Sequence, residues 1–189
     1  MLLKLKSPKK RSRLSLLLIP VMLLLFPIQT NPQTNQFRIV EVRPIPPALV
    51  TLQNQILKNN PGLTTGWAMA LASAFDDSAK RHNVSSRLLA AIAMQESGYT
   101  ADAQQCYVIR GKVRCDYCLM QINDRTLKNL HISVKDLMAS HWTCIEAGAT
   151  VLSDLKHRYA KRDKAYWTRY NAVNPLKRAT YKQLVERFL

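Results

Sequence analysis

Glycine, acidic and aromatic side chains are all scarce in this 189-residue chain. Five glycines exclude a collagen-like or glycine-rich low-complexity polymer. Twelve Asp and Glu stand against 28 Lys and Arg, a formal charge of +16. Three Trp, seven Tyr and four Phe are few for a platform that stacks single-stranded nucleic acid. No apolar run reaches the ~20 residues of a membrane span; Leu14 to Ile28 comes nearest and is broken by Pro20 and Pro27. With 47% apolar and 21% charged residues, the composition is that of a globular domain, not of a disordered chain.

What is present at the N-terminus is a targeting pattern. Six basic residues (Lys4, Lys6, Lys9, Lys10, Arg11, Arg13) precede the Leu14–Ile28 stretch, and the first thirty residues hold no acid. That order suits a secretory signal, read here over 1–30 as a signal peptide or an uncleaved membrane anchor. No small-residue cleavage site and no lipidation cysteine follow it. The 22 basic and 12 acidic residues that remain leave +10 on the exported part. Residues 31–64, rich in Asn, Gln and Pro, read as an extended tether. Residues 65–189 read as one mainly α domain carrying a short β-hairpin.

Within that domain the spacing predicts helices over Trp67–His82, over Arg87–Ser97 with Ser85 or Ser86 as N-cap, along the stripe Ile145, Ala149, Leu152, Leu155, Tyr159, and from about Thr180 to Phe188. Between them, Val and Ile flank Arg110-Gly111, a two-residue hairpin turn. Folding about it sets Cys106 opposite Cys115, which predicts a cross-strand disulfide. Cys118 and Cys144 are left to pair or to stay free. Cys115-x2-Cys118 with His141-x2-Cys144 also has zinc-like spacing. Export favours disulfides over that site, so no metal is expected.

One segment points to chemistry. Leu88 to Met94 are seven consecutive apolar residues at helical length, followed by Gln95, Glu96, Ser97 and Gly98. A carboxyl closing a buried helix sits in low dielectric at the negative end of the helix dipole, and both effects raise its pKa. Glu96 is thereby suited to general-acid work near neutral pH.

Three further blocks follow in order: Cys118-Leu-Met-Gln121, Arg169-Tyr-Asn-Ala-Val173, and Tyr181-Lys-Gln-Leu-Val185. With the Glu-Ser helix end they resemble the lytic transglycosylases of the soluble type, over about Ser78 to Phe188. The resemblance implies a lysozyme-like, goose-lysozyme-related fold with Glu96 as acid/base. It implies that Ser97, Met120, Gln121, Tyr170, Asn171 and Tyr181 surround the saccharide. Ser140 to Gly148 is similar to a Cys-containing helix start in the small transglycosylases of secretion and conjugation machines. Those relatives often pair that cysteine with an N-terminal one, absent here, for which Cys118 could be the replacement partner. Cys118 and Val173 replace glycines of the family pattern, and the Cys106–Cys115 hairpin overwrites its Ser-x-x-Gly-Ala stretch.

The implied substrate is peptidoglycan, cleaved between N-acetylmuramic acid and N-acetylglucosamine with 1,6-anhydromuramoyl ends and without a cofactor. The implied partners are glycan strands and components of a secretion or conjugation machine, in the periplasm, with the inner membrane touched only by the N-terminal segment. A basic domain would also adhere to stem-peptide carboxylates. Asp102, Asp116 and Asp124 are the acids that could serve as a second carboxylate, each read as a solvated loop residue. A nucleic-acid-binding module fits the charge but has neither a binding motif nor a reason for export. A hydrolytic muramidase and a non-catalytic wall-binding subunit are the remaining alternatives.

Overall fold

The computed structural model of the protein describes residues 44–189. The signal-or-anchor reading of residues 1–30 lies outside them. Among the described residues seven α-helices, a short 3-10 helix and a three-stranded antiparallel sheet form a lysozyme-like domain. None of these helices is long and apolar enough to cross a membrane.

The first helix corrects the tether reading of 31–64 over its described part, 44–64. α1 (Pro47–Asn59) starts on Pro47, whose fixed φ and missing N–H suit a first helical position. It buries Leu52, Gln53 and Ile56, with Leu49 and Leu57 packed against the core. This apolar stripe at helical spacing outweighs the Asn/Gln/Pro composition on which the tether reading rested. Gln53 is buried yet satisfied, donating to the Thr65 carbonyl at 3.0 Å. Gln55 and Asn59 both donate to the Phe188 carbonyl, at 2.8 and 2.9 Å, joining α1 to the last residues.

α2 (Thr65–His82) is capped by the Thr64 hydroxyl, and Asn83 ends it in the left-handed region. α3 (Ser86–Ser97) is capped by Ser85, whose hydroxyl accepts from the Leu88 N–H at 3.3 Å. Leu88 through Ala93 are buried without a break. A helix can be apolar all round only when covered on every side, and α3 touches α1, α2, α6 (His141–Tyr159) and α7 (Pro175–Glu186). α7 begins five residues before the expected Thr180. Asn174 caps it, its side chain accepting from Leu176 and Lys177 N–H, and Pro175 follows at the first turn.

The sheet comprises β1 (Gln104–Ile109), β2 (Lys112–Tyr117) and the short β3 (Ile122–Asn123). β1 and β2 pair with Cys106 opposite Cys115 and Ile109 opposite Lys112, the expected register. Both turn residues have positive φ, Arg110 at 49° and Gly111 at 72°, as a turn matched to strand twist requires. α4 (Asp124–Leu130) and α5 (Val134–Ala139) lead from the sheet to α6. The four cysteines form two disulfides, Cys106–Cys115 and Cys118–Cys144. With every sulfur so bonded, the zinc-like spacing is not a ligand set.

If α1 belongs to the domain, its buried face must carry stability. Ile56 is fully buried, so Ile56→Ala should cost about 3 kcal/mol. Urea denaturation measures this, and a change near zero would mean that the helix is dispensable.

Candidate active site

Glu96 is fixed by the end of α3. Gly98 stops the helix in the left-handed conformation, φ 63°, returning its N–H to the Met94 carbonyl at 2.9 Å. A side chain would be strained at that φ. The Glu96 carboxyl receives the Tyr181 hydroxyl at 2.5 Å, and the Asn171 side chain also hydrogen-bonds to it. Burial dominates its electrostatics and pushes the carboxyl up to about 7. The Tyr181 and Asn171 hydrogen bonds hold it back, while repulsion from Asp116 adds to the rise. Burial first, and the neighbouring Glu96 charge second, raise the Tyr181 hydroxyl far above the usual range. It therefore acts as a permanent donor. A cavity of about 260 Å³ lined by Gln95, Asn171, Lys177, Thr180, Tyr181 and Leu184 opens beside this group.

The expected residues do not all face that space. Met120 is fully buried, which corrects the expectation that it lines the saccharide cleft. It packs on α6 at Gly148, where an added Cβ would lie 2.5 Å from its Cε and 2.9 Å from its Cγ. What Met120 offers is its carbonyl, which accepts the Tyr170 hydroxyl at 3.0 Å. Ser97 is likewise committed to structure, since its hydroxyl donates to the Leu119 carbonyl at 2.8 Å. That bond ties the end of α3 to the 118–121 turn. Gln121, partly exposed, closes the same turn by donating from Nε2 to the Cys118 carbonyl at 2.9 Å. The structure thus gathers Glu96, Tyr181 and Asn171 directly. Tyr170, Ser97 and Met120 brace them from behind.

Both glycine replacements have a physical account. Cys118 has φ 61°, a conformation that favours glycine. Its sulfur is anchored to Cys144 on α6, closing a loop of 26 residues worth about 3 kcal/mol. Val173 is exposed and is not among the residues with positive φ, so nothing local demands glycine there.

Asp116 also departs from its expected place. It lies half-buried on β2, not in a solvated loop. It accepts the Tyr107 hydroxyl at 3.3 Å, and its charge is felt at Glu96 and Tyr170. The hairpin register already put Gln105, Tyr107, Arg114 and Asp116 on one face. What it did not supply was the direction in which that face looks. Asp124 has a structural task instead, accepting from the Cys115 N–H at 2.8 Å and the Tyr117 hydroxyl at 3.2 Å. Asp102 is exposed.

Two outcomes follow. Below pH 4.5 the Glu96 carboxyl is protonated whether the chain is folded or not. Between 4.5 and about 7 the unfolded chain sheds this proton first, so stability falls, and above 7 the folded protein holds a desolvated carboxylate. Glu96→Gln should therefore stabilise the protein at pH 8 by about 3 kcal/mol and leave pH 4 unchanged, as read by thermal melts at both values. Gly148→Ala should push Met120 and the carbonyl that holds Tyr170 out of place. The expected loss is about 1–3 kcal/mol, with a fall in glycan cleavage, checked by melting and turnover.

No curated protein and no solved structure matches the chain. The family model described as the transglycosylase SLT domain matches residues 73–183. That span runs from α2 to α7 and takes in Glu96, the 118–121 turn, Tyr170, Asn171 and Tyr181. It covers more than half of the 189 residues, and the chain therefore belongs to the transglycosylase SLT domain family.

Proposed function

We propose that this protein is a peptidoglycan lytic transglycosylase in which Glu96 is the single acid/base. Family membership supports the coarse reading, a peptidoglycan-cleaving function of the transglycosylase type exercised in the periplasm. Two disulfides suit an exported chain. The observation that carries the finer reading is a buried carboxyl raised to about 7 with the hydroxyl of a cavity-lining tyrosine on it. Such a group is protonated in part of the population at neutral pH and can both give and take a proton.

In the proposed route Glu96 donates its proton to the glycosidic oxygen between N-acetylmuramic acid and N-acetylglucosamine as the C1–O bond breaks. The 2-acetamido oxygen of the substrate supports the positive charge at C1. Glu96, now a carboxylate, takes the proton of the C6 hydroxyl, and that oxygen closes onto C1 as a 1,6-anhydro ring. Water is not consumed and the carboxyl ends protonated. Tyr181 and Asn171 steady the carboxylate between the two transfers, and Tyr170, held by the Met120 carbonyl, walls the site. The biological setting that fits is local opening of the wall during assembly of a secretion or conjugation machine.

One observation favours a second reading. Hydrolytic glycosidases use two carboxylates, and Asp116 stands near enough to Glu96 to repel it. A muramidase would place water where the C6 hydroxyl attacks. Digestion of purified peptidoglycan with the wild type and with Glu96→Gln, followed by mass spectrometry of the muropeptides, separates these outcomes. Anhydromuropeptides from the wild type and at least a hundredfold fewer from the variant are expected. Reducing ends would establish hydrolysis. No products from a folded, oxidised sample would mean a wall-binding subunit.

A further inference from the structure

The hairpin carries a feature that glycan cleavage does not use. Its free end exposes Val108 (69%), Ile109 (52%) and Val113 (67%). These three aliphatic side chains stand among Arg110, Lys112 and Arg114, and residues 104–115 include no acid. The pairing register puts Val108 and Val113 side by side on the same face as the Cys106–Cys115 disulfide. Tyr107 and Asp116 occupy the opposite face. Val108 and Val113 are therefore directed away from the face that is felt at Glu96, while Ile109 stands at the extreme end of the hairpin, paired with Lys112 on the Tyr107 face.

We propose that this tip docks on an anionic lipid surface, entering the headgroup layer with Val108, Ile109 and Val113 while Arg110, Lys112 and Arg114 meet lipid phosphates. Two properties have to be satisfied together. The cations call for an anion, and the aliphatic side chains call for hydrocarbon. The carboxylates of the wall answer only the first, because a hydrated glycan gives valine and isoleucine nothing to bury against. A protein partner answers the second poorly, since a stable interface takes about 800 Å² from each side, far more than three side chains on the end of a two-stranded ribbon offer. An anionic bilayer answers both with a small footprint. The disulfide and the two-residue turn hold the tip in one shape before contact, so little ordering is lost on docking.

Residues 31–189 retain every buried residue of the core among the described residues, from Leu52 to Val185. They also lack the N-terminal apolar stretch that would bind membrane by itself. Sedimentation with phosphatidylcholine vesicles containing about one-third phosphatidylglycerol, against phosphatidylcholine alone, reads the docking directly. At low salt we expect at least about tenfold more binding to the anionic vesicles. Val108→Asp/Val113→Asp should lower that binding about tenfold or more. Arg110→Glu/Lys112→Glu should abolish the preference for anionic lipid. Both variants should still release muropeptides from purified glycan, which shows that they are folded. Absence of wild-type binding to either vesicle overturns the proposal, as does binding that both variants leave unchanged. Equal wild-type binding to the two vesicle types overturns it as well.

Discussion

The organising constraint is the desolvation of one carboxyl at the end of a helix that has no exposed face along most of its length. α3 can run apolar from Leu88 to Ala93 only because four other helices cover it. The same cover removes water from Glu96. Its raised pKa is thus a by-product of how the core is built, and proton chemistry near neutral pH comes without any dedicated charged partner. The hydrogen bonds from Tyr181 and Asn171 keep the carboxyl from becoming an inert neutral group. α7 has to be in place for Tyr181 to reach it, which makes the C-terminal helix part of the site as well as of the core.

Behind the carboxyl stands a layer whose side-chain donors are turned onto backbone carbonyls. Ser97 closes onto Leu119, Tyr170 onto Met120 and Gln121 onto Cys118. Met120 fills the space that Gly148 leaves on α6. The Gln121 bond closes the turn itself and the other three contacts each link it to a different element, so α3, the 118–121 turn, the 3-10 helix (Tyr166–Tyr170) and α6 hold one another in register. Donors engaged in this way position their neighbours. A motif shared with a family can therefore mark support as readily as contact.

Much of this was legible in the sequence because local physics and tertiary structure agreed. Ser85 and Gly98 bracket α3 as cap and stop, and the Arg110-Gly111 turn fixed a register that placed two cysteines opposite each other. What was not legible involved partners distant in sequence. The α1 stripe lay under an Asn/Gln/Pro composition suggestive of a linker, and only the α2 and α3 surfaces that it covers resolve the matter. Asn174-Pro175 was a readable helix start, obscured by the later apolar spacing. Met120 could not be assigned to core or cleft without knowing that a glycine faces it across α6. Asp116 needed the direction of a hairpin face, which period-two alternation leaves open.

The Cys118–Cys144 bond moves a conformational requirement from one residue to two. A left-handed turn position ordinarily asks only for glycine, and any change elsewhere leaves that demand untouched. Here the covalent link fixes the turn, so the effect of altering Cys144 depends on what occupies position 118. The two sites are epistatic. Exchanging either cysteine alone removes the tether while leaving the strained residue or the orphaned thiol behind, whereas a joint return to glycine at 118 and a small apolar residue at 144 restores a self-consistent pair.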